Sequence, residues 1–380
     1  MLWRWYDCTT MAANLANTKT VAYSGEIDGQ KQAADIMVKY AKEEGIEFPH
    51  VIGPQTAHKY HPESKPKIEE FVSEAAKEGS DPTPKKLHLT TYSLLYPGMK
   101  WLRVKAIENQ WERADITAEL HTSDITIQTK NIGSFVIELP LSQYSPEQRP
   151  TVIVDGMEFP RSLFPLNKQW IFHARKWGDR WSTRGLDMEV TPGPKYPGLC
   201  GPIDHAFMSS FVFVRPTGKP LNSAVGAWAK AELEHATEFW RRVFRGDAPV
   251  KDDTAITEKD IENKNLAIWG DPSGNKVLKK IIDKLPLKWT KDTLEFNGVK
   301  YDPAHHAPIL IFPNPLYPDK YVVLNSGPTF REEALLNNSD QTPKLPDWAI
   351  VNLDTPPDGR WPGQIIDAGF FDEQWALPKK

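Results

Sequence analysis

The sequence predicts an α/β protein of more than one domain, and three observations lead there. Its 380 residues exceed what a single average domain holds. Short β-rich runs alternate with amphipathic helices near both ends of the chain, over residues 1–80 and 201–380. Between them, over 86–160, apolar residues recur with period two and turn residues separate the runs, the pattern of a small antiparallel β-sandwich. Residues 161–200, rich in Trp, Pro, Gly and Arg, show little periodicity and are expected to be an irregular connector.

The elements follow in order. Asn17-Thr18-Lys19 leads into a strand over 20–24 that ends at Gly25. Ala33, Ala34, Met37, Val38 and Ala41 lie at helical spacing and predict a helix over 30–44, capped by Gly45. Residues 48–52 form a second strand, followed by the loop Gly53-Pro54-Gln55-Thr56-Ala57-His58. Ile68, Phe71, Val72, Ala75 and Ala76 mark a helix over 66–77 that ends at Gly79, and 80–84 is a linker. Strand, helix, strand, helix with short loops implies parallel pairing in an open sheet. Period-two strands are then expected at 87–92, 101–104, 114–120, 125–129 and 134–139. From 201 a Rossmann-like alternation returns: strand 210–215, helix 222–244, strand 265–269, turn 270–275 and helix 276–285. Runs 308–312 and 321–325 pair across Pro313-Asn314-Pro315.

Composition narrows the function classes. The hydrophobic share of 40% and charged share of 25% are those of an ordinary globular protein. A net charge of −4 gives no basic footprint, which argues against nucleic acid as a partner. No apolar run approaches the ~18–20 residues of a membrane span. The 33 prolines imply many fixed loops. The 14 tryptophans either fill cores or grip a glycan or peptide, with Trp177 and Trp181 as candidates for the second use. Cys8 and Cys200 form no disulfide framework and no metal spacing. Residues 1–7 lack the apolar core of a signal peptide, yet the chain enters a strand pattern within about twenty residues. The expectation is a piece of a longer polypeptide, which leaves its compartment open.

Asp28 and His58 carry the chemistry. Asp28 follows a strand and a glycine and precedes a helix; His58, 30 positions on, sits on the loop after the next strand. A serine hydrolase with chain order serine, acid, histidine needs its acid and base at those two places. Each residue also has a plain use, Asp28 as a helix N-cap and His58 as a loop histidine. Glu26 is a competing acid, two residues early and inside the turn. His61, before Pro62, is a capping or supporting residue of the following helix, and His58 with His61 lacks a third metal ligand. His305-His306 is expected in a loop. No metal or cofactor motif is present. No Gly-x-Ser-x-Gly elbow occurs either, and Gly270-Asp271-Pro272-Ser273-Gly274 puts its serine one position late. That segment stands where a strand gives way to a helix, so its amides either bind an anion or close a tight turn.

The runs Val21-Ala22-Tyr23-Ser24-Gly25-Glu26-Ile27-Asp28 and Gly53-Pro54-Gln55-Thr56-Ala57-His58-Lys59-Tyr60 resemble the last strands of the prolyl oligopeptidase family of serine hydrolases. The whole chain is similar to the C-terminal half of large bacterial, planctomycete-type members. Later matching segments include Gly201-Pro202-Ile203-Asp204-His205, Asn265-Leu266-Ala267-Ile268-Trp269 and Lys344-Leu345-Pro346-Asp347-Trp348. The resemblance implies a truncated α/β-hydrolase C-terminal portion over 1–80, followed by the β-domain and the second α/β domain. It implies Asp28 as triad acid, His58 as general base, and a peptide or ester substrate. The nucleophile and oxyanion hole would precede Met1, so the chain alone is expected to be inactive.

Overall fold

The computed structural model describes residues 2–183 and 194–378. The fold is mixed α/β with several sheets. The chain divides into two compact units, one of residues 7–188 and one of residues 189–380 with the first six. The N-terminal α/β piece, the β-sandwich and most of the expected connector therefore share one unit.

The N-terminal unit opens with a 3-10 helix, Cys8–Asn17, and an α/β piece: β1 (Ala22–Gly25), α1 (Lys31–Glu43), β2 (His50–Gly53) and α2 (Lys65–Glu78). β1 and β2 pair in parallel, Ala22 opposite His50 through Gly25 opposite Gly53. Gly45 and Gly79 end the helices at positive φ, as expected. The sandwich follows: β3 (Lys86–Thr91), β4 (Gly98–Met99), β5 (Leu102–Ile107), β6 (Ala114–Leu120), β7 (Asp124–Lys130), β8 (Ile132–Pro140), β9 (Thr151–Val154) and β10 (Met157–Phe159). Three more strands, β11 (Phe164–Leu166), β12 (Gln169–Trp177) and β13 (Arg180–Ser182), lie where a connector was expected. Residues 184–193 of that stretch lie outside the described residues.

One sheet orders its strands β10-β9-β7-β6-β3 and the other β11-β12-β8-β5-β4, with β13 on β12. Alternate residues of β6 (Ala114, Ile116, Ala118, Leu120) and of β12 (Trp170, Phe172, Ala174) are buried. Phe159 of the first sheet meets Phe172 of the second edge-on at 5.7 Å. The sandwich is not wholly antiparallel, because β7 and β9 run parallel. β8 leaves for the opposite sheet and the chain returns in the same sense, which a hairpin cannot do. Asn14 and Asn17 of the 3-10 helix cover the free edge of β3, each exchanging two amide bonds with it, at Thr90 and at His88 respectively. That blunts an edge otherwise open to another strand.

A charged cluster ties α1 to the sandwich. Arg113 holds Asp115 at 2.8 Å and Glu44 at 2.9 Å, and Asp115 also accepts from Thr90 at 2.6 Å and meets His88 at 3.1 Å. Burial pushes the Asp115 carboxyl up, but the bonds from His88, Arg113 and Thr90 outweigh it and hold the group well below 3.8. A depressed acid contributes stability above its unfolded value that is lost as pH falls through the native one. Melting between pH 7 and pH 2.5 should therefore show the N-terminal unit weakening below about pH 4, and Asp115→Asn should flatten that slope while costing about 1–3 kcal/mol at neutral pH.

The C-terminal unit is built on β14 (Phe211–Arg215), α3 (Ser223–Phe244), β15 (Val250–Asp252), α4 (Glu258–Asn263), β16 (Asn265–Ile268) and α5 (Lys276–Ile281). A small antiparallel sheet follows, β17 (Leu287–Trp289), β18 (Leu294–Phe296) and β19 (Val299–Tyr301). Then come β20 (His306–Asn314), β21 (Tyr317–Leu324), β22 (Trp348–Asn352) and β23 (Gln364–Gly369). The main sheet orders them β15-β14-β16-β21-β20-β22-β23. The first four are parallel and the rest alternate. β14 and β16 are buried along nearly their whole length, as parallel strands covered on both faces must be. α3 lays Val225, Trp228, Ala229, Leu233 and Ala236 on the sheet, and Glu232 on that face meets Arg331 at 2.7 Å.

Lys195, 2% exposed, closes this unit. Its ammonium donates to Asp347 at 2.7 Å and to the Phe371 carbonyl at 3.0 Å, 4.8 Å from the Trp375 ring centre. Its amide donates to the Glu373 carbonyl at 2.7 Å. Burial raises the pKa of Asp347, and the Lys195 charge opposes that rise.

Candidate functional site

Asp28 and His58 meet. Asp28 Oδ2 lies 2.9 Å from His58 Nδ1, at the carboxyl ends of the two parallel strands β1 and β2. Two glycines make the approach possible. A Cβ on Gly25 would stand 2.2 Å from the Thr56 carbonyl oxygen, and one on Gly53 would stand 2.2 Å from the Tyr23 hydroxyl. Only bare backbone lets the two loops touch there.

The loops are then clamped. The Glu26 amide donates to the Gly53 carbonyl at 2.8 Å and the Ile27 amide to the Thr56 carbonyl at 3.1 Å. The Tyr23 hydroxyl donates to the Lys59 carbonyl at 2.9 Å and accepts from the His61 amide at 2.8 Å, one on either side of Tyr60. Glu26 does not reach His58. Its carboxylate accepts from the amide and side chain of Gln55, at 2.8 and 3.0 Å, and holds Gln55 at a φ of 45°. Glu26 is thus a loop support and not the partner of His58. His61 does not cap α2, whose N-cap is Ser64; its ring Nδ1 accepts from the Glu63 amide at 3.3 Å within the preceding turn.

Asp28 divides its two oxygens between two partners, and it is not the N-cap of α1, a place taken by Gln30 with no side-chain cap bond. Oδ1 accepts from the Gln30 amide at 2.9 Å at the entrance to α1, and Oδ2 holds the imidazole. The Gln30 amide first, and His58 second, keep the Asp28 carboxyl below its ordinary value, so it is ionised at neutral pH. An ionised Oδ2 fixes the proton on Nδ1 and leaves the Nε2 lone pair free. The Asp28 side chain is 12% exposed and that of His58 77%, so a shielded acid presents an open base. Chemically the pair can take a proton at Nε2 and hold the resulting imidazolium.

No family model, no curated protein and no solved structure matches this chain.

Further histidine–acid arrangements escape sequence reasoning, besides His88 with Asp115 and His235 with Glu332. His50 Nε2 lies 2.9 Å from Ser24 Oγ, and its Nδ1 lies 3.6 Å from Asp35. Ser24 is only 5% exposed and sits inside β1 rather than on a turn, so the group ties strand to strand. Burial lowers the pKa of His50 and keeps it neutral. In the C-terminal unit His305 meets Asp354 at 2.6 Å, both exposed, while His306, expected in a loop, opens β20. These pairs depend on parallel register and on residues 49 positions apart, neither of which leaves a local signal.

The turn 270–275 is a tight turn. Asp271 Oδ1 accepts from the Ser273 and Gly274 amides at 2.9 and 2.8 Å, and Oδ2 from the Leu221 amide at 2.7 Å. Asn275 caps the Val277 and Leu278 amides. The protein's own carboxylate takes the amides an anion would need. Of the two candidate tryptophans, Trp181 is core: it is 5% exposed, and its indole donates to Asp155 at 2.8 Å. Trp177 is exposed beside Arg175, whose guanidinium lies 4.8 Å from its ring centre.

Proposed function

We propose that these residues supply the acid and the base of a serine hydrolase of the prolyl oligopeptidase type, a peptidase in class, with Asp28 orienting His58. The observation that supports it is the 2.9 Å contact of Asp28 Oδ2 with His58 Nδ1 at the ends of adjacent parallel strands. His58 Nε2 would take the proton of an attacking serine and return it to the leaving amine, while Asp28 balances the imidazolium. An ester would be opened by the same groups. The 380 residues hold no Gly-x-Ser-x-Gly elbow, so the serine belongs to another segment of polypeptide. The test is the genomic reading frame that runs into the Met1 codon. Expressed with these residues, its product should contain that elbow and should react with a fluorophosphonate probe, while the 380 residues alone should not. An unrelated gene or a stop codon immediately upstream, or a product the probe leaves unlabelled, refutes it.

A further inference from the structure

In the C-terminal unit, β14 runs through α3 to β15 on one side, and β15 runs through α4 to β16 on the other side of β14. The sheet therefore reverses its strand order between the carboxyl ends of β14 and β16, where open α/β sheets form their ligand crevices. A groove of about 570 Å³ opens there, reaching from Pro216 and Gly270 along α3 to Glu238 and Val250. That volume lies within the range of small-ligand pockets.

The lining selects a chemistry. Pro216, Pro220, Leu233 and Val250 give an apolar floor. Asp271 holds the Ser273, Gly274 and Leu221 amides and Asn325 holds that of Gly270, so the groove offers no phosphate cradle. Charges of both signs stand on its walls. Arg215 closes β14 and gives one nitrogen to Asp252 at 2.6 Å, leaving the rest of its fork. Lys230, Glu234 and Glu238 follow one another at single-turn spacing on α3, all exposed, with Lys230 3.9 Å from Glu234. Cations thus stand toward the strand ends, where the lining Asp271 carboxylate is already bound by three amides, and carboxylates stand toward the C-terminal half of α3. The span from Gly226 to Glu238 is about 18 Å of helix, the length of about five extended residues.

We propose that this groove binds a short peptide with apolar side chains and free ends, its carboxylate toward Arg215 and Lys230 and its ammonium toward Glu238. The site is independent of Asp28 and His58. Calorimetric titration of the full chain with the pentapeptide leucyl-alanyl-leucyl-alanyl-leucine should show binding. N-acetylation or C-amidation of the peptide should each weaken it about two- to fivefold, as for single exposed charge contacts, and inorganic phosphate should not compete. Glu238→Lys should abolish the preference for the free amine over the acetylated peptide while leaving the acetylated peptide's affinity unchanged. Glu238→Gln serves as the milder variant should the reversal fail to fold. His58→Ala should bind as the parent does. No binding at millimolar peptide, equal affinity for free and acetylated peptide, or displacement by phosphate would each overturn the proposal.

Discussion

Lys195→Met is expected to destabilise the C-terminal unit by about 3–5 kcal/mol, the cost of leaving a buried charge without its partner. Lys195 and Asp347 are each 1% exposed at the side chain, and no solvent can replace the lost ammonium. Asp347 would keep only the Phe371 amide at 3.1 Å. Lysine and methionine have similar length, so packing against Trp375 is largely retained and the loss reports the charge. Urea unfolding followed by tryptophan fluorescence measures it. The double variant Lys195→Met, Asp347→Leu should recover a large part of the loss, because an apolar pair needs no compensation. A single variant as stable as the parent would mean that the pair contributes nothing here.

The second large effect belongs to His58. In a polypeptide that also carries the serine, His58→Ala should lower kcat by about 10⁴–10⁶, and Asp28→Asn by about 10⁴, since an amide cannot hold the productive tautomer. Glu26→Gln should cost no more than about tenfold, because it loosens the Gln55 loop without touching the imidazole. Steady-state hydrolysis of a chromogenic peptide separates the three. Equal losses for Glu26→Gln and Asp28→Asn would move the acid's role away from Asp28.

What the sequence discloses depends on how local the signal is. The helices α1, α2 and α3 stand within about a residue of their apolar patterns, because helical spacing is a property of the segment itself. Asp28 and His58 are legible for a related reason: each sits at a fixed step past its own strand. β12 is harder. Its inward set, Trp170, Phe172 and Ala174, has period two, but Arg175, Lys176 and Trp177 follow and read as loop. β17, β18 and β19 are three residues each, too short for any period to show. The parallel pairing of β7 with β9 and the bond from Ser24 to His50 exist only once register is set. Buried polar pairs such as Lys195 with Asp347, 152 positions apart, carry no local mark at all.

The contacts of Lys195 also set an order of events during synthesis. Its partners Asp347, Phe371, Glu373 and Trp375 are made 152 to 180 residues later, and until they emerge from the ribosome the lysine must stay in water. The described strands of the N-terminal unit all lie before residue 183, made long before that point. Those strands can pair on the nascent chain, whereas the C-terminal unit closes only once residues 347–375 have been made.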